Sequence, residues 1–172
     1  QIYRWLLDND ADRSSFILAF GGGIVCDVAG FVASTFMRGV RFGFVSTTLL
    51  SQVDASVGGK NGVNLEGFKN IVGCFNQPEF VICDPEMLLT LDERDYRSGL
   101  AEVVKHTLIA DAAMFAYIEQ NSDKLLARDA EAINRVVENS VRIKANIVSM
   151  DEREKGERRK LNLGHTWGHA VE

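Results

Sequence analysis

The chain has few cysteines and lacks the features of secreted, membrane-spanning and nucleic-acid-binding proteins. Its cysteines, Cys26, Cys74 and Cys83, are odd in number and never spaced CxxC, which argues against a disulfide framework and a zinc–thiolate cluster. No apolar run is long enough to cross a bilayer. The net charge of −5 disfavours a general nucleic-acid binder, which would usually be basic. These absences favour a cytoplasmic globular protein with reduced thiols, and neither nucleic acid nor membrane as a partner.

The 172 residues divide into a glycine-interrupted first half and a helical second half. Apolar runs at 15–20, 41–46 and 80–84 predict strands, and a helix is expected over 27–35, which together give a βαβ pattern. After Leu91, apolar spacing of three and four predicts helices over the ranges 97–108, 112–120 and 130–150. The predicted fold is α/β: a Rossmann-like nucleotide-binding half, 1–92, followed by an all-helical metal- and substrate-binding half, 93–172.

Residues 47–78 show little periodicity and are expected to form a long loop, which in a compact domain is usually functional. Within it, residues 52–64 place Asp54, Lys60 and two asparagines among glycines, with hydrophobic residues too sparse to form a core. Glycines allow close approach of a ligand, and ammonium and amide groups hydrogen-bond its oxygens. A small-anion site is therefore favoured over a solvated surface loop.

Gly21, Gly22 and Gly23 precede the first predicted helix and suit either a phosphate cradle at its N-terminus or a tight turn. Asp27 could bond a ribose or carboxamide, or cap the helix. Thr47 and Thr48, just past a strand end, offer hydroxyls to a ligand but also suit a turn. The residues alone leave these alternatives open.

Lys144 falls inside the apolar stripe of the third predicted helix of the second half. A lysine on a buried face is costly unless it is paired, so a carboxylate or phosphate partner is expected in preference to snorkelling to solvent. The stripe consists of Ile133, Val136, Val137, Val141, Ile147 and Val148.

Two further features could belong to a metal site. Glu102 and Lys105 share a helical face, where they could form a surface salt bridge or serve a site. His165 and His169 are spaced i,i+4, so both imidazoles can face one ion or anion, although a metal site needs more ligands than this segment supplies. Whether His169 binds the metal or a substrate anion is not fixed by spacing. His106 is interpreted as structural.

Taken together, these motifs closely resemble the 3-dehydroquinate synthase family, in order from about Phe16 to the end. The resemblance rests on GGGIVCDVAGF at 21–31, MRGVRF at 37–42, TTLLSQVDASVGGK at 47–60, FKN at 68–70, LAEVVK at 100–105 and LNLGHTWGH at 161–169. It implies a lyase of the shikimate pathway that uses NAD and Zn²⁺ or Co²⁺. The implied reaction converts 3-deoxy-D-arabino-heptulosonate 7-phosphate to 3-dehydroquinate and phosphate by transient oxidation, β-elimination, re-reduction and intramolecular aldol closure.

The resemblance also implies roles for individual residues in a homodimer. The NAD contacts would be Gly23, Ile24, Val25, Cys26, Asp27, Thr47, Thr48, Lys60, Lys69, Met87, Leu88, Leu89 and Thr90. The metal ligands would be Glu102 and His165. The phosphate region would contain His169, Lys60, Asn70 and, from a second copy of the chain, Arg38. The substrate carboxylate would meet Lys144 and Arg158, and Asp54, Lys105 and Asn162 would orient hydroxyls.

Three residues depart from the family's usual choice: Cys26 replaces Gly, Asn61 replaces Thr and His106 replaces Tyr. In the family, an N-terminal segment that helps bind adenine and a third ligand histidine lie beyond this chain's ends, so the 172-residue chain alone is expected to have little or no activity. Rival interpretations are another sugar-phosphate cyclase, a metal- and NAD-dependent polyol or glycerol dehydrogenase, and a non-catalytic assembly domain.

Overall fold

A computed structural model describes residues 1–166, in which an α/β half is followed by a helical half. The α-helices are α1 Ile2–Asp8, α2 Gly23–Thr35, α3 Glu93–Ala110, α4 Ala112–Gln120, α5 Ser122–Leu126 and α6 Ala130–Met150. The strands are β1 Phe16–Gly21, β2 Arg41–Ser46, β3 Lys60–Leu65, β4 Phe68–Phe75 and β5 Val81–Cys83. A π-helical segment covers Ser51–Ala55, and short 3₁₀ turns cover Phe36–Arg38, Pro85–Leu88 and Glu157–Asn162. His169 lies outside the described residues.

The predicted βαβ unit is confirmed. Strands β1, β2 and β5 form a parallel sheet in that order, with Phe16 opposite Arg41 and Gly21 opposite Ser46. Helix α2 connects β1 to β2 and begins four residues before the expected Asp27. A glycine is tolerated in a first helical turn, where the backbone N–H groups lack intrahelical partners in any case. The strand therefore passes almost directly into the helix.

The expectation of a long loop over residues 47–78 is wrong. The segment contains the π-helical turn and an antiparallel pair, β3 and β4, joined through Glu66 and Gly67. The sequence hides β4 because nearly all of this strand is exposed, so its two faces do not alternate between apolar and polar residues. An expected loop is thus a hairpin that projects beside the sheet.

The π-helical segment is part of the core, contrary to the expectation that its hydrophobic residues are too sparse. Val53 is fully buried and packs in the same cluster as Tyr96 of α3 and Leu49, which precedes the segment. Gln52 is also fully buried, and its Nε2 donates to Ser46 O at 3.1 Å and to the Asp84 carbonyl at 2.8 Å. The segment is therefore fixed at the carboxyl ends of β2 and β5.

The helical half agrees with the predicted periodicity. Helices α3, α4 and α6 cover the three predicted ranges, whereas the short α1 and α5 were not predicted. The interior face of α6 carries the expected stripe, and Val141 packs at its margin. Within residues 1–166, no helix has the length and apolar character needed to span a membrane.

Candidate active site

A polar cleft lies where the π-helical segment, the β3–β4 hairpin, α6 and the turn at 157–162 meet. Its main part has a volume of about 540 Å³, and an adjoining part of about 260 Å³ extends toward α3. The charged and amide side chains along the two parts are Asp27, Asp54, Lys60, Asn61, Asn70, Lys105, Lys144, Glu154, Arg158, Asn162 and His165. The structure thus assembles most of the residues to which the sequence analysis assigned substrate roles.

Lys144 has the buried carboxylate partner that its position predicts. Its Nζ donates to Asp54 Oδ1 at 2.6 Å and also to the Asp54 carbonyl, and its side chain is only 8% exposed. Burial lowers the pKa of Lys144, and Asp54 partly opposes that shift. Burial would by itself raise the pKa of Asp54, but Lys144, with Lys105 and His106 nearby, outweighs it and holds this pKa below its usual range. Snorkelling to solvent is therefore wrong for Lys144.

Glu154 belongs to the cleft although the sequence analysis did not identify it. Its carboxylate forms an ion pair with Lys60 and accepts a hydrogen bond from Asn162 Nδ2 at 2.7 Å. Burial alone would raise the pKa of Glu154, but these two partners and the charge of Arg158 hold it below its usual value. The residue lies in a run of ten mostly charged residues that has no helical periodicity. Nothing in that pattern distinguishes it from its solvated neighbours.

Asp151 folds the same charged segment back onto the cleft. Its Oδ1 accepts the backbone N–H of Lys155 at 2.8 Å, and its Oδ2 accepts those of Gly156 at 2.7 Å and Arg158 at 3.1 Å. These bonds lower the pKa of Asp151. The carboxylate therefore acts as a local template for the turn that presents Arg158.

Arg158 is buried and is held by backbone carbonyls. It is 3% exposed, and its guanidinium donates to Gly58 O at 3.0 Å and to Glu152 O at 2.5 Å. Gly58 has φ +110°, and a Cβ there would lie 2.5 Å from Arg158 Nη2. The close approach therefore requires glycine, and the guanidinium keeps its positive charge available to an anion in the cleft.

The remaining cleft residues of the α/β half differ in function. Asn61 is buried against Gly30, and its Nδ2 donates to Gly59 O at 3.1 Å and Asn76 O at 2.8 Å, so it holds the hairpin. Asn70 has φ +51° and lines the cleft from β4. Burial raises the pKa of Asp27 to about 6, an effect that Lys144 opposes and Asp54 reinforces.

Of the two predicted metal ligands, His165 lines the cleft, whereas Glu102 lies on α3 beside the cleft residue Lys105. Glu102 accepts a hydrogen bond from Lys105 Nζ at 2.6 Å, and their side chains are 15% and 10% exposed, so this is not a surface pair. Lys105 and His165 line the same part of the cleft. A carboxylate and an imidazole are ligands that Zn²⁺ accepts. Residues 1–166 contain no group of three His, Cys, Asp or Glu side chains arranged for a metal ion, so the described residues alone do not form a complete metal site.

The N-terminus of α2 has features suited to a dinucleotide. Gly22 caps the helix, no acidic residue occupies the first turn, and Ile24 is 82% exposed. An adjoining cleft of about 350 Å³ is lined by Gly22, Gly23, Thr48 and their neighbours. Unpaired N–H groups at a helix N-terminus favour a phosphate group. Gly22 also has a packing role, because a Cβ there would lie 2.9 Å from Thr48 Cγ2.

Several residues expected to bind ligands do not line either cleft. Arg38 and Lys69 are exposed outside them. Met87–Thr90 covers the end of the 3₁₀ turn, where Leu88 is fully buried in the core. Cys26 is also fully buried, with Sγ 4.0 Å from Ser46 Oγ. Any ligand contact by Leu88 or Cys26 would therefore come from the backbone.

His106, which was interpreted as structural, lies close to a residue of the cleft. It is fully buried, and its Nε2 lies 3.9 Å from Asp54 Oδ1. Neither ring nitrogen has a hydrogen-bond partner within the described residues. The π-helical segment carries Asp54 toward α3, which places His106 beside the cleft; the interpretation of His106 as structural stays a prediction.

Two solved structures are similar to this chain over nearly all of its length. One is 2-epi-5-epi-valiolone synthase from Streptomyces hygroscopicus subsp. jinggangensis 5008 with NAD⁺ and Zn²⁺ bound, with a TM-score of 0.92 and 30% identity over 99% of this chain and 48% of that one. The other is 2-deoxy-scyllo-inosose synthase complexed with carbaglucose-6-phosphate, NAD⁺ and Co²⁺, with a TM-score of 0.91 and 29% identity over 99% of this chain and 46% of that one. The chain therefore has the fold of the sugar-phosphate cyclases.

Within that class, the sequence matches one family over its whole length. Residues 1–98 match the model of the 3-dehydroquinate synthase N-terminal part, and residues 99–172 match that of its C-terminal part. Curated 3-dehydroquinate synthases from Halorhodospira halophila and Geotalea uraniireducens are 54% and 52% identical over 100% and 99% of this chain. The chain belongs to the 3-dehydroquinate synthase family.

The chain spans about half the length of these relatives, 49% and 48% respectively. The two family models meet inside α3, between residues 98 and 99. The division at residues 92 and 93, the individual residue roles and the low activity expected of the 172-residue chain stay predictions.

Proposed function

We propose that the protein containing this chain is a 3-dehydroquinate synthase. It would convert 3-deoxy-D-arabino-heptulosonate 7-phosphate to 3-dehydroquinate and inorganic phosphate. The observation that carries the proposal is the convergence of Lys60, Lys144 and Arg158 on one cleft, because a substrate with a phosphate and a carboxylate needs cations at both ends. Identity of 54% and 52% to curated synthases supports this substrate.

The carboxylate end of the substrate would bind Lys144 and Arg158. Arg158 is pre-oriented by two backbone carbonyls, so little side-chain entropy is lost when it binds an anion. Lys144 is held by Asp54 and would exchange part of that contact for the substrate carboxylate. Their rigid placement fixes the ring, which is the positioning that the reaction requires.

The phosphate end would bind Lys60 and Asn70, together with His169 and with Arg38 from a second copy of the chain. The exposed position of Arg38 outside its own cleft supports a shared site in a homodimer. Lys60 would leave Glu154 to donate hydrogen bonds to the departing phosphate, whose charge grows as its bond to carbon breaks. Asp54, Lys105 and Asn162 would orient the ring hydroxyls.

Two bound groups complete the proposal, and relatives with this fold bind both. Gly22–Gly23 and Asp27 would hold NAD, which would supply reversible hydride transfer. A Zn²⁺ or Co²⁺ ion held in part by Glu102 and His165 would supply Lewis-acid polarisation of the substrate oxygen. The chain's own residues would bind the substrate, exclude water and hold each hydroxyl in place. The free thiols of Cys26, Cys74 and Cys83 support a cytoplasmic location for this enzyme.

The test is an assay of the protein in its full natural length with the heptulosonate phosphate, ZnCl₂ and NAD at a small fraction of the substrate concentration. Phosphate release should exceed the NAD supplied many times, without accumulation of NADH. Absence of phosphate release would contradict the proposal. Accumulation of NADH in proportion to product would instead indicate a polyol or glycerol dehydrogenase.

Another sugar-phosphate cyclase is the second candidate, because solved structures of that class share the fold. A cyclitol-forming enzyme would accept a substrate without a carboxylate. Lys144→Gln and Arg158→Gln should raise KM for the heptulosonate phosphate strongly if this carboxylate is bound. Unchanged KM in both variants would favour the second candidate.

A further inference from the structure

His106 is the buried polar group whose environment is least explained by the proposed function. Its side chain is fully buried, yet neither Nδ1 nor Nε2 has a hydrogen-bond partner within residues 1–166. Native proteins rarely leave both nitrogens of a buried imidazole unpartnered, because the desolvation cost is not recovered. The residue therefore requires an explanation beyond packing.

The carboxylate of Asp54 lies close to His106. Nε2 lies 3.9 Å from Oδ1, the same oxygen to which Lys144 Nζ donates at 2.6 Å. A distance of 3.9 Å is too long for a hydrogen bond, but a shift of about 1 Å would create one. His106 and Lys144 thus approach one carboxylate from two different helices, α3 and α6.

The imidazole is neutral around pH 7. Burial lowers the pKa of His106 to about 4, with Asp54 opposing the shift and the ammonium groups of Lys105 and Lys144 reinforcing it. A neutral imidazole has one N–H, and only the tautomer protonated at Nε2 can donate to Asp54. The ring is therefore a donor without an added charge.

We propose that His106 is a positioning residue that donates a hydrogen bond to Asp54 when a substrate carboxylate draws Lys144 away. The proposal rests on the proposed function, in which Lys144 binds that carboxylate. Without a second donor, withdrawal of Lys144 would leave Asp54 ionised and partly buried without a partner, which is strongly unfavourable. Closure of the His106 contact offsets part of this cost and keeps Asp54 directed at the ring hydroxyls.

The test compares His106→Gln with His106→Met in the full-length protein. The two side chains have the same length, and only glutamine has a donor near the position of Nε2. In His106→Met, which has no donor, KM for the heptulosonate phosphate should rise about tenfold, the effect of one hydrogen bond to a charged group. Its kcat should also fall, because Asp54 is misplaced. In His106→Gln, KM and kcat should be close to the wild-type values. The dissociation constant for NAD should be the same in the two variants.

A melting curve for each variant separates positioning from folding. His106→Met should be at least as stable as wild type, because it removes an unpartnered buried polar group. Equal KM values in the two variants, with normal phosphate release by wild type, would overturn this inference alone. Absence of phosphate release by wild type would instead overturn the proposed function, and the substrate-dependent role of His106 with it.

Discussion

Lys144 Nζ donates a hydrogen bond of 2.6 Å to Asp54 Oδ1, a carboxylate 90 residues earlier in the chain. The contact joins α6 of the helical half to the π-helical segment of the α/β half. Both residues line the cleft, so the contact joins the two halves at the site. Both halves must therefore fold before the site exists.

Replacement of Lys144 should destabilise the fold through the partner that it leaves behind. Lys144→Met keeps the length of the side chain but replaces the ammonium partner of Asp54 with, at most, the neutral N–H of His106, and the free energy of unfolding should fall by about 2 kcal/mol. The double variant Asp54→Asn/Lys144→Met should recover most of this loss. Urea denaturation of wild type and both variants measures the free energy of unfolding.

Lys160 provides the matched control for this experiment. It forms an ion pair with Glu157, and the side chains are 58% and 56% exposed. Lys160→Met should change the free energy of unfolding by less than about 0.5 kcal/mol. Equal losses in the two single lysine variants would show that burial of the Lys144 pair has no energetic consequence.

Gly58→Ala should displace Arg158. The substitution places a Cβ 2.5 Å from Nη2 and also forces alanine to adopt φ +110°. Gly67→Ala is the control, because Gly67 has φ +86° but a Cβ added there would meet no atom within 4 Å. Both variants should lose about 1–2 kcal/mol from backbone strain, measured by urea denaturation. Only Gly58→Ala should also raise KM for the heptulosonate phosphate, and a similar rise in Gly67→Ala would contradict a specific effect on Arg158.

Asp27 should make stability fall with rising pH. Its pKa is raised from 3.8 to about 6 by burial, against the charge of Lys144. The folded state therefore holds the proton more tightly than the unfolded state, and the stability that this provides is lost as pH rises from about 4 through 6. Asp27→Asn should match wild type near pH 4 and be more stable by about 1 kcal/mol above pH 7, after allowance for partial exposure.

Glu79→Gln provides a comparison for Asp27→Asn, because the pKa of Glu79 is shifted in the opposite direction. Its hydrogen bond from Arg41 lowers the pKa of Glu79, so this carboxylate stabilises the fold above its unfolded pKa and the variant should be the less stable protein at neutral pH. Unfolding free energies measured at intervals from pH 4 to pH 8 distinguish the two cases. A pH-independent difference between wild type and Asp27→Asn would contradict the raised pKa.

Asp151→Ala should loosen the turn that presents Arg158, because three backbone N–H groups lose their acceptor. Trypsin should then cleave after Arg153 and Lys155 at least about tenfold faster, since cleavage follows the population of locally open chains. Asp151→Asn keeps one acceptor oxygen and should be intermediate. Asp123→Ala, an exposed acid on α5, should leave the cleavage rate unchanged.

The sequence determined the local elements and the identity of most site residues. Apolar runs predict β1, β2 and β5, and the spacing in α6 predicts a buried lysine that needs an anion, because burial and charge conflict at a single position. The ordered motifs also predict the family. These properties depend on neighbours within one or two turns or one strand, so they are legible without a structure.

Only the tertiary structure decided which groups meet in the cleft. Asp54 faces Lys144 because a π-helical turn, in which the Ser56 N–H donates to Ser51 O at 3.1 Å, directs it there, and no residue pattern predicts that turn. Glu154 enters the cleft through Asp151, and His106 faces Asp54 because the two halves pack together. Contacts between residues distant in sequence depend on the packing of whole elements, and a local sequence pattern does not predict them.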